Sequence, residues 1–147
     1  MDSFNHALCT TCQGACCKNM PGATSPEDWG APDVDVMQMH IGKALQSGEF
    51  VLAALPERPH EPYLMPLRTT TGCIFLRKDG CRLPDTKRPE GCRALIPSED
   101  FPSSCHYPKG VSINHFIDRW RPYRNLLDAA SEPPRIRKRR SIWSFVR

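Results

Sequence analysis

The stretch "CTTCQGACC", residues 9–17, places four of the chain's eight cysteines within nine positions. Three kinds of site crowd thiols this tightly: a disulfide framework, a redox-active thiol pair and a metal centre. Thiolates are soft, charged donors, and a C-x₂-C turn such as Cys9–Cys12 lets two sulfurs face one metal. Gly14 lets the following chain curl back toward the sulfurs. The rest of the sequence has to distinguish the three alternatives.

Composition favours a cytosolic protein with a small core. A chain of 147 residues suits one domain, and its 15 prolines are about twice the average usage, which favours loops over long elements. The start, "MDSFNHALC", has neither the basic region nor the apolar run of a secretory signal, and no apolar stretch approaches a membrane span. Because cytosolic thiols stay reduced, dense cysteines there bind metal more often than they form disulfides.

The neighbouring residues also argue against a redox-active pair. A thioredoxin-like C-x-x-C follows a strand and opens a helix, and no strand pattern precedes Cys9.

The adjacent Cys16 and Cys17 point in opposite directions in an extended chain, so one is expected to ligate while the other serves a second centre or packs. A metal centre is therefore the main prediction, with a disulfide framework as the alternative.

The wider cysteine pattern resembles a known family. The first stretch is followed downstream by "GCIFLRKDGC" and "KRPEGCR". Together they resemble the bacterial cysteine-cluster family with the signature C-x₂-C-x₃-C-C, a zinc- or iron-chelating domain, over about residues 9–97. Cys105 lies outside the shared pattern, and the signature implies no particular reaction. The resemblance implies a metal-binding set of Cys9, Cys12, Cys16, Cys17, Cys73, Cys81 and Cys92.

Cysteine spacing bears on the identity of the metal. Structural zinc sites tend to use two chelating turn pairs, and this chain has one. The downstream cysteines are separated by 7, 10 and 12 residues: Cys73, Cys81, Cys92 and Cys105. An iron–sulfur cluster is larger than a single ion and accepts dispersed ligands. The expected cofactor is an iron–sulfur cluster or Zn²⁺, with the [4Fe–4S] form slightly favoured.

Two arginines, Arg88 and Arg93, bracket Cys92. Four thiolates around Zn²⁺ or an oxidised cluster leave net negative charge, so both guanidinium groups are expected beside the centre. The alternative is that they are ordinary surface arginines. His6 and His106 lie near cysteines along the chain and are weaker candidates for ligands.

Capping signals and apolar spacing predict three helical regions in an α+β, loop-rich domain. Ser25 is a candidate N-cap for a short helix at "TSPEDW". A C-terminal helical segment begins after Ser112, and Pro122 is expected to kink or divide it. A longer helix runs from Asp33 to a stop at Gly48, with an apolar stripe at Val34, Met37, Ile41 and Leu45 and with Met39 also assigned to the core. The C-terminal stripe comprises Ile113, Phe116, Trp120, Tyr123, Leu127 and Ala130.

Short strands are predicted between these helical regions. The runs "FVLAAL" and "YLMPL" are β-like, and "GCIFLRKDGCRL" predicts one hairpin that turns at residues 78–80. Cys73 and Cys81 would flank that turn. Cys92 is expected in a proline-punctuated turn and Cys105 in a loop.

The charge distribution divides the chain into a domain, residues 1–134, and a basic tail, residues 135–147. The tail carries six of the 20 basic residues and no acid, so the domain carries 14 basic and 16 acidic residues. Such a tail is typical of segments that bind nucleic acid or an acidic protein partner, and the alternative is a solvated tail that folds back on the domain.

These patterns predict a cytosolic metal-binding protein with a structural centre or, alternatively, a redox-active one. No hydrolase, metalloprotease or P-loop motif is present. A similar cysteine signature in flagellin-lysine methylating proteins leaves iron–sulfur-dependent group transfer or electron transfer as an alternative. A nucleic-acid-binding or partner-binding module that uses the tail is a further alternative.

Overall fold

The computed structural model describes residues 22–78, 80–97 and 105–131, which form short helices and two-stranded antiparallel sheets, an α+β arrangement. The helices are α1 (Val34–Ser47), α2 (Glu90–Arg93), α3 (Ile113–Trp120) and α4 (Arg124–Ser131), with 3₁₀ helices at Pro26–Trp29, Asp85–Lys87 and Arg121–Tyr123. The paired strands are β1 (Phe50–Ala53) with β2 (Tyr63–Pro66), β3 (Arg68–Thr69) with β4 (Gly72–Cys73), β5 (Leu76–Arg77) with β6 (Gly80–Cys81), and β7 (Ile96–Pro97) with β8 (Cys105–His106).

The ends of the first two helices follow local capping signals. Ser25 is in an extended conformation directly before Pro26, so the 3₁₀ helix begins where it was predicted. Asp33 caps α1, because its Oδ1 accepts a hydrogen bond from the Val36 amide at 3.2 Å. Gly48 ends α1 with φ = +79°, a left-handed conformation that favours glycine.

The apolar stripe of α1 is buried only in part. Met37 and Ile41 are fully buried, whereas the predicted core residues Val34 and Met39 are 49% and 51% exposed. The assignment of Met39 to the core was wrong because two residues correspond to about 200° around a helix, which turns Met39 away from the side that buries Met37.

The main core lies between α1, β2, α3 and α4, and α1 packs against α4. As predicted, Pro122 divides the C-terminal segment, since a 3₁₀ turn separates α3 from α4. Nine residues form the buried cluster: Ala23, Met37, Ile41, Tyr63, Leu64, Phe116, Ile117, Trp120 and Leu127.

Residues 22–26, which we call the strap, are buried and link this core to the cysteine-bearing half of the chain. The amide and the hydroxyl of Thr24 both donate to the Leu64 carbonyl, at 3.0 and 2.7 Å. The indole Nε1 of Trp120 donates to the Thr24 carbonyl at 2.8 Å. The strap therefore holds the entry point of the N-terminal cysteine segment against β2 and α3.

The predicted single hairpin around Cys73 and Cys81 is two hairpins. Strand β4 pairs back with β3, so that Cys73 lies opposite Arg68, while Cys81 in β6 lies opposite Leu76. The prediction failed because a second turn precedes Cys73, where the Thr69 hydroxyl donates to the Gly72 carbonyl at 2.9 Å and accepts from the Thr71 amide. The predicted turn after Arg77 is present.

Two further local predictions need correction. Cys92 lies in the one-turn helix α2 rather than in an irregular turn. Cys105 lies in the short strand β8, where it pairs with Pro97, rather than in a loop.

Candidate metal centre

Cys73 and Cys81 belong to one small apolar cluster beside the main core. Cys73, 5% exposed, and Phe75 form its buried part. Five partly buried side chains pack against these two: Phe50, Ile74, Leu76, Cys81 and Leu83. The Phe75 carbonyl accepts from the Arg82 amide at 2.8 Å, which extends the β5–β6 pairing past Cys81. The two hairpins thus bring two of the predicted ligands into one cluster.

Cys92 is held in position through the backbone of α2. The Gly91 amide donates to the Ala23 carbonyl of the strap at 2.9 Å, and the Glu90 amide donates to Asp28 Oδ2 at 2.8 Å. A Cβ on Gly91 would overlap the backbone of Ala23, so only glycine permits this approach. The half-buried Cys92 side chain follows directly.

Gly22, the first described residue, contacts Cys92. An added Cβ at Gly22 would stand 2.6 Å from the Cys92 sulfur and 2.6 Å from its amide nitrogen. Since a Cα–Cβ bond is about 1.5 Å, the Cα of Gly22 lies within about 4 Å of that sulfur. The chain that follows the N-terminal cysteine stretch therefore enters the described structure beside one of the predicted ligands.

Arg88 connects the Cys81 turn with α2. Arg88 is only 2% exposed, so the alternative interpretation, in which Arg88 is an ordinary surface arginine, is wrong. Its Nε donates to the Leu83 carbonyl at 2.9 Å and its Nη2 to the Cys81 carbonyl at 3.3 Å. Its own carbonyl accepts from Arg93 Nε at 3.0 Å. Both predicted arginines thus lie in the structure that joins Cys81 to Cys92.

Charged groups fasten α2 to its neighbours. Arg93 forms an ion pair with Asp28 at 3.0 Å, and Arg119 of α3 bridges Glu90 and Glu27. Burial alone would raise the pKa of Glu90, but hydrogen bonds and the charge of Arg119 outweigh burial and hold that pKa below its usual value. Burial opposes the charge of Arg119 as well, yet its two carboxylate partners raise the pKa of Arg119.

The structure does not describe the remaining predicted ligands or the basic tail. Cys9, Cys12, Cys16, Cys17 and His6 lie outside the described residues, as do residues 135–147. Within residues 22–78, 80–97 and 105–131, no three side chains of His, Cys, Asp or Glu converge to hold a metal ion. His106 is exposed in β8.

Sequence reasoning missed the residues that position Cys92. Gly22, Gly91 and Asp28 carry no metal-binding signal of their own, and the contacts by which they join the strap and the first 3₁₀ helix to α2 span 62 or more residues of the chain. A glycine directly before Cys92 and another shortly after the N-terminal cluster were the only hints of a close backbone approach.

Comparison with protein-family models, curated proteins and solved structures gives no match. None of the helices in the described part of the chain has the length and apolar character needed to cross a membrane.

Proposed function

We propose that this chain is a metal-binding protein and a member of the cysteine-cluster family that its signature resembles. Its centre is a zinc ion or an iron–sulfur cluster, held by thiols of the N-terminal stretch together with thiols of the β4–α2 region. The observation that carries the proposal is the contact between Gly22 and the sulfur of Cys92. The proposed ligands are Cys9, Cys12, Cys16, Cys17, Cys73, Cys81 and Cys92.

Chain length supports the convergence of the two groups of cysteines. Cys17 is five residues before Gly22, and an extended chain spans at most about 3.6 Å per residue. The Cα of Cys17 is therefore within about 18 Å of the Cα of Gly22, which itself contacts Cys92. Cys9, the first cysteine of the stretch, is 13 residues before Gly22, so its Cα is within about 47 Å of the Cα of Gly22. Convergence of all four N-terminal thiols on Cys92 is part of the proposal.

The surroundings of the downstream thiols suit a thiolate centre. Cys73 is buried and Cys81 and Cys92 are half-buried, which limits access of water to a bound group. The guanidinium group of Arg88, which donates to the Cys81 carbonyl, places positive charge beside Cys81, whereas the charge of Arg93 is paired with Asp28. Positive charge beside a thiolate-ligated centre offsets the centre's net negative charge.

A bound zinc ion would act as a structural staple, and an iron–sulfur cluster would add the capacity to carry an electron. The dispersed downstream cysteines favour the cluster. With either centre, the neighbouring residues position the ligands: Gly22 of the strap contacts Cys92, and Arg88 donates a hydrogen bond to the Cys81 carbonyl.

Metal content of cysteine variants tests the proposal. We expect Cys92→Ser to lose at least about half of the bound metal, because a hydroxyl is a poor ligand for either centre. Cys105→Ser is the matched control, since Cys105 lies outside the family pattern, and it should keep the wild-type metal-to-protein ratio. Full metal retention by Cys92→Ser would contradict the proposal.

A second measurement applies if Cys92→Ser does not accumulate. The thermal unfolding midpoint of the wild-type protein is compared before and after removal of metal under reducing conditions. Because the free energy of metal binding contributes to folding, the midpoint should fall on metal removal. An unchanged midpoint would contradict a structural centre.

A further inference from the structure

A cleft of about 360 Å³ lies between the main core and the small cluster that contains Cys73. Three aromatic side chains line one continuous wall: Trp29, Phe50 and Phe75. The ring centroids of Trp29 and Phe50 are 4.9 Å apart, and those of Phe50 and Phe75 are 5.4 Å apart. The volume is at the lower end of the range for small-molecule sites.

The carboxylates of the cleft are largely occupied. Asp28 Oδ2 accepts from the amides of Ser25 and Glu90, and Asp28 Oδ1 accepts from Arg93. Glu49 Oε2 accepts from Arg82 at 2.6 Å. Little acceptor capacity is left on the acidic side of the cleft.

The basic groups of the cleft keep unused donors. The guanidinium of Arg82 lies over the Phe75 ring, 4.8 Å from its centroid, and within the described part of the chain it donates only to Glu49. Lys87 also lines the cleft and is exposed, and no side chain among the described residues pairs with its ammonium group. Since Arg93 pairs with Asp28 and Arg82 with Glu49, the charge of Lys87 is the one in the cleft lining that no described side chain neutralises, and Arg82 keeps further hydrogen-bond donors.

We propose that this cleft binds a small aromatic carboxylate, with the ring against the aromatic wall and the carboxylate between Lys87 and Arg82. An aromatic ring gains area and stacking on the wall, and an anion pairs with Lys87 and with the donors that Arg82 does not use toward Glu49. Among the described residues no cysteine lines this cleft, although its Phe75 side belongs to the cluster that contains Cys73 and Cys81, and the proposal does not rest on the metal centre.

Ligand-observed ¹⁹F NMR on the full chain tests the site with two matched probes. 4-Fluorobenzoate carries the ring and the charge, whereas 4-fluorobenzyl alcohol carries the ring alone. We expect the benzoate signal to broaden on addition of protein and the alcohol to bind at least about fivefold more weakly, because the alcohol loses the ion pairs with both Lys87 and Arg82. Equal binding of both probes, or no broadening with the benzoate, would overturn the proposal.

Two lysine variants locate the binding. Lys87→Gln should weaken binding of 4-fluorobenzoate about fivefold, because it removes one charge from the cleft. Lys109→Gln alters an exposed lysine that does not line the cleft, and it should bind as the wild type does. Unchanged affinity in Lys87→Gln, or an equal loss in both variants, would show that the anion binds elsewhere.

Discussion

At Gly22 and Gly91 two stretches of backbone cross with no room for a side chain. The strap and α2 share a hydrogen bond from the Gly91 amide to the Ala23 carbonyl, and a Cβ on either glycine would meet the opposing backbone. Both glycines are buried, so the neighbours of an added methyl group have little space to move. Cys92 lies at this crossing, and its sulfur is therefore sensitive to a single methyl group.

We expect Gly22→Ala to lower the free energy of unfolding by about 1–3 kcal/mol and to reduce metal content, because the new Cβ displaces Cys92. Gly42→Ala is the matched control. Gly42 lies inside α1 with open space where its Cβ would stand, so alanine should raise helix stability by about 0.5–1 kcal/mol. Urea unfolding and metal analysis of both variants check the prediction, and a Gly22→Ala protein with wild-type metal content would contradict it.

The two tryptophans of the core region differ in one hydrogen bond. Trp120 Nε1 donates to the Thr24 carbonyl, whereas the buried Trp29 Nε1 finds no acceptor among the described residues. Trp120→Phe should cost about 2–4 kcal/mol through a lost buried hydrogen bond and a cavity. Trp29→Phe should change stability by less than about 1 kcal/mol, since it removes an unsatisfied donor. Equal losses in urea unfolding would contradict this assignment.

Among the elements, α2 is too short to be stable alone and depends on its contacts. One carboxylate, that of Asp28, accepts hydrogen bonds from Ser25, Glu90 and Arg93 and so joins the first 3₁₀ helix to α2. Arg119 adds a second connection, from α3 to Glu90. The position of Cys92 therefore depends on side chains far from it in sequence.

We expect Asp28→Ala to lower the free energy of unfolding by about 2–4 kcal/mol, because three partly buried donors lose a charged acceptor. Asp35→Ala is the control, since Asp35 is exposed in the first turn of α1, and it should cost at most about 1 kcal/mol. Thermal or urea unfolding measures both. A loss in Asp28→Ala no larger than in Asp35→Ala would contradict this role.

A second charged network joins the loop after β1 to α3 and titrates in acid. Hydrogen bonds from Arg58, which has the larger effect, and from Arg121 lower the pKa of Glu61 from 4.5 to about 2. A carboxylate whose pKa is lower in the folded state than in the unfolded state stabilises the fold at pH values above its unfolded-state pKa. This stabilisation is lost as the pH falls through the pKa of the folded state. The contribution of Glu61 should therefore decline between pH 4.5 and about 2.

As the pH is lowered from 4.5 to about 2, the urea midpoint of the Glu61→Gln variant should decrease less than that of the wild-type protein. Glu57→Gln is the control, because Glu57 is exposed and forms no ion pair with another described residue. It should follow the wild-type profile. Coincident profiles of Glu61→Gln and the wild type would contradict the assignment.

Local signals predicted the helices well and the small hairpins less well. Ser25, Asp33, Gly48 and Pro122 act on their immediate neighbours, so their effects can be predicted from a few residues. The pairing of Cys73 with Arg68 depends on a competing turn at Thr69 with no glycine at its centre, and the prediction of one hairpin overlooked it.

At the scale of the whole molecule, the contacts that arrange the candidate site join distant parts of the chain. Trp120 bonds to Thr24, Arg119 to Glu27, and Gly91 to Ala23, over separations that no periodic pattern records. Charge, the position before Cys92 and the family pattern predict Arg88 beside the proposed centre, whereas the burial of Arg88 was not predictable. The N-terminal ligands stay a prediction because they lie outside the described residues.

The architecture explains why a metal centre would matter to folding. The main core is formed by α1, β2, α3 and α4. The region that carries Cys73, Cys81 and Cys92 consists instead of two-residue strands and a one-turn helix around a small apolar cluster. Elements this short rarely stabilise themselves, and a cross-link between them is a usual solution. We interpret the clustered cysteines as that cross-link.

Metal analysis and a visible absorption spectrum of the full chain, purified without air, test this claim most directly. We expect stoichiometric metal: iron and sulfide in a brown sample that bleaches on reduction, or zinc in a colourless one. The first result would favour a redox role, and the second a structural one. Protein without metal, with its thiols oxidised in pairs as isolated from cells, would rule out a metal centre held by these cysteines.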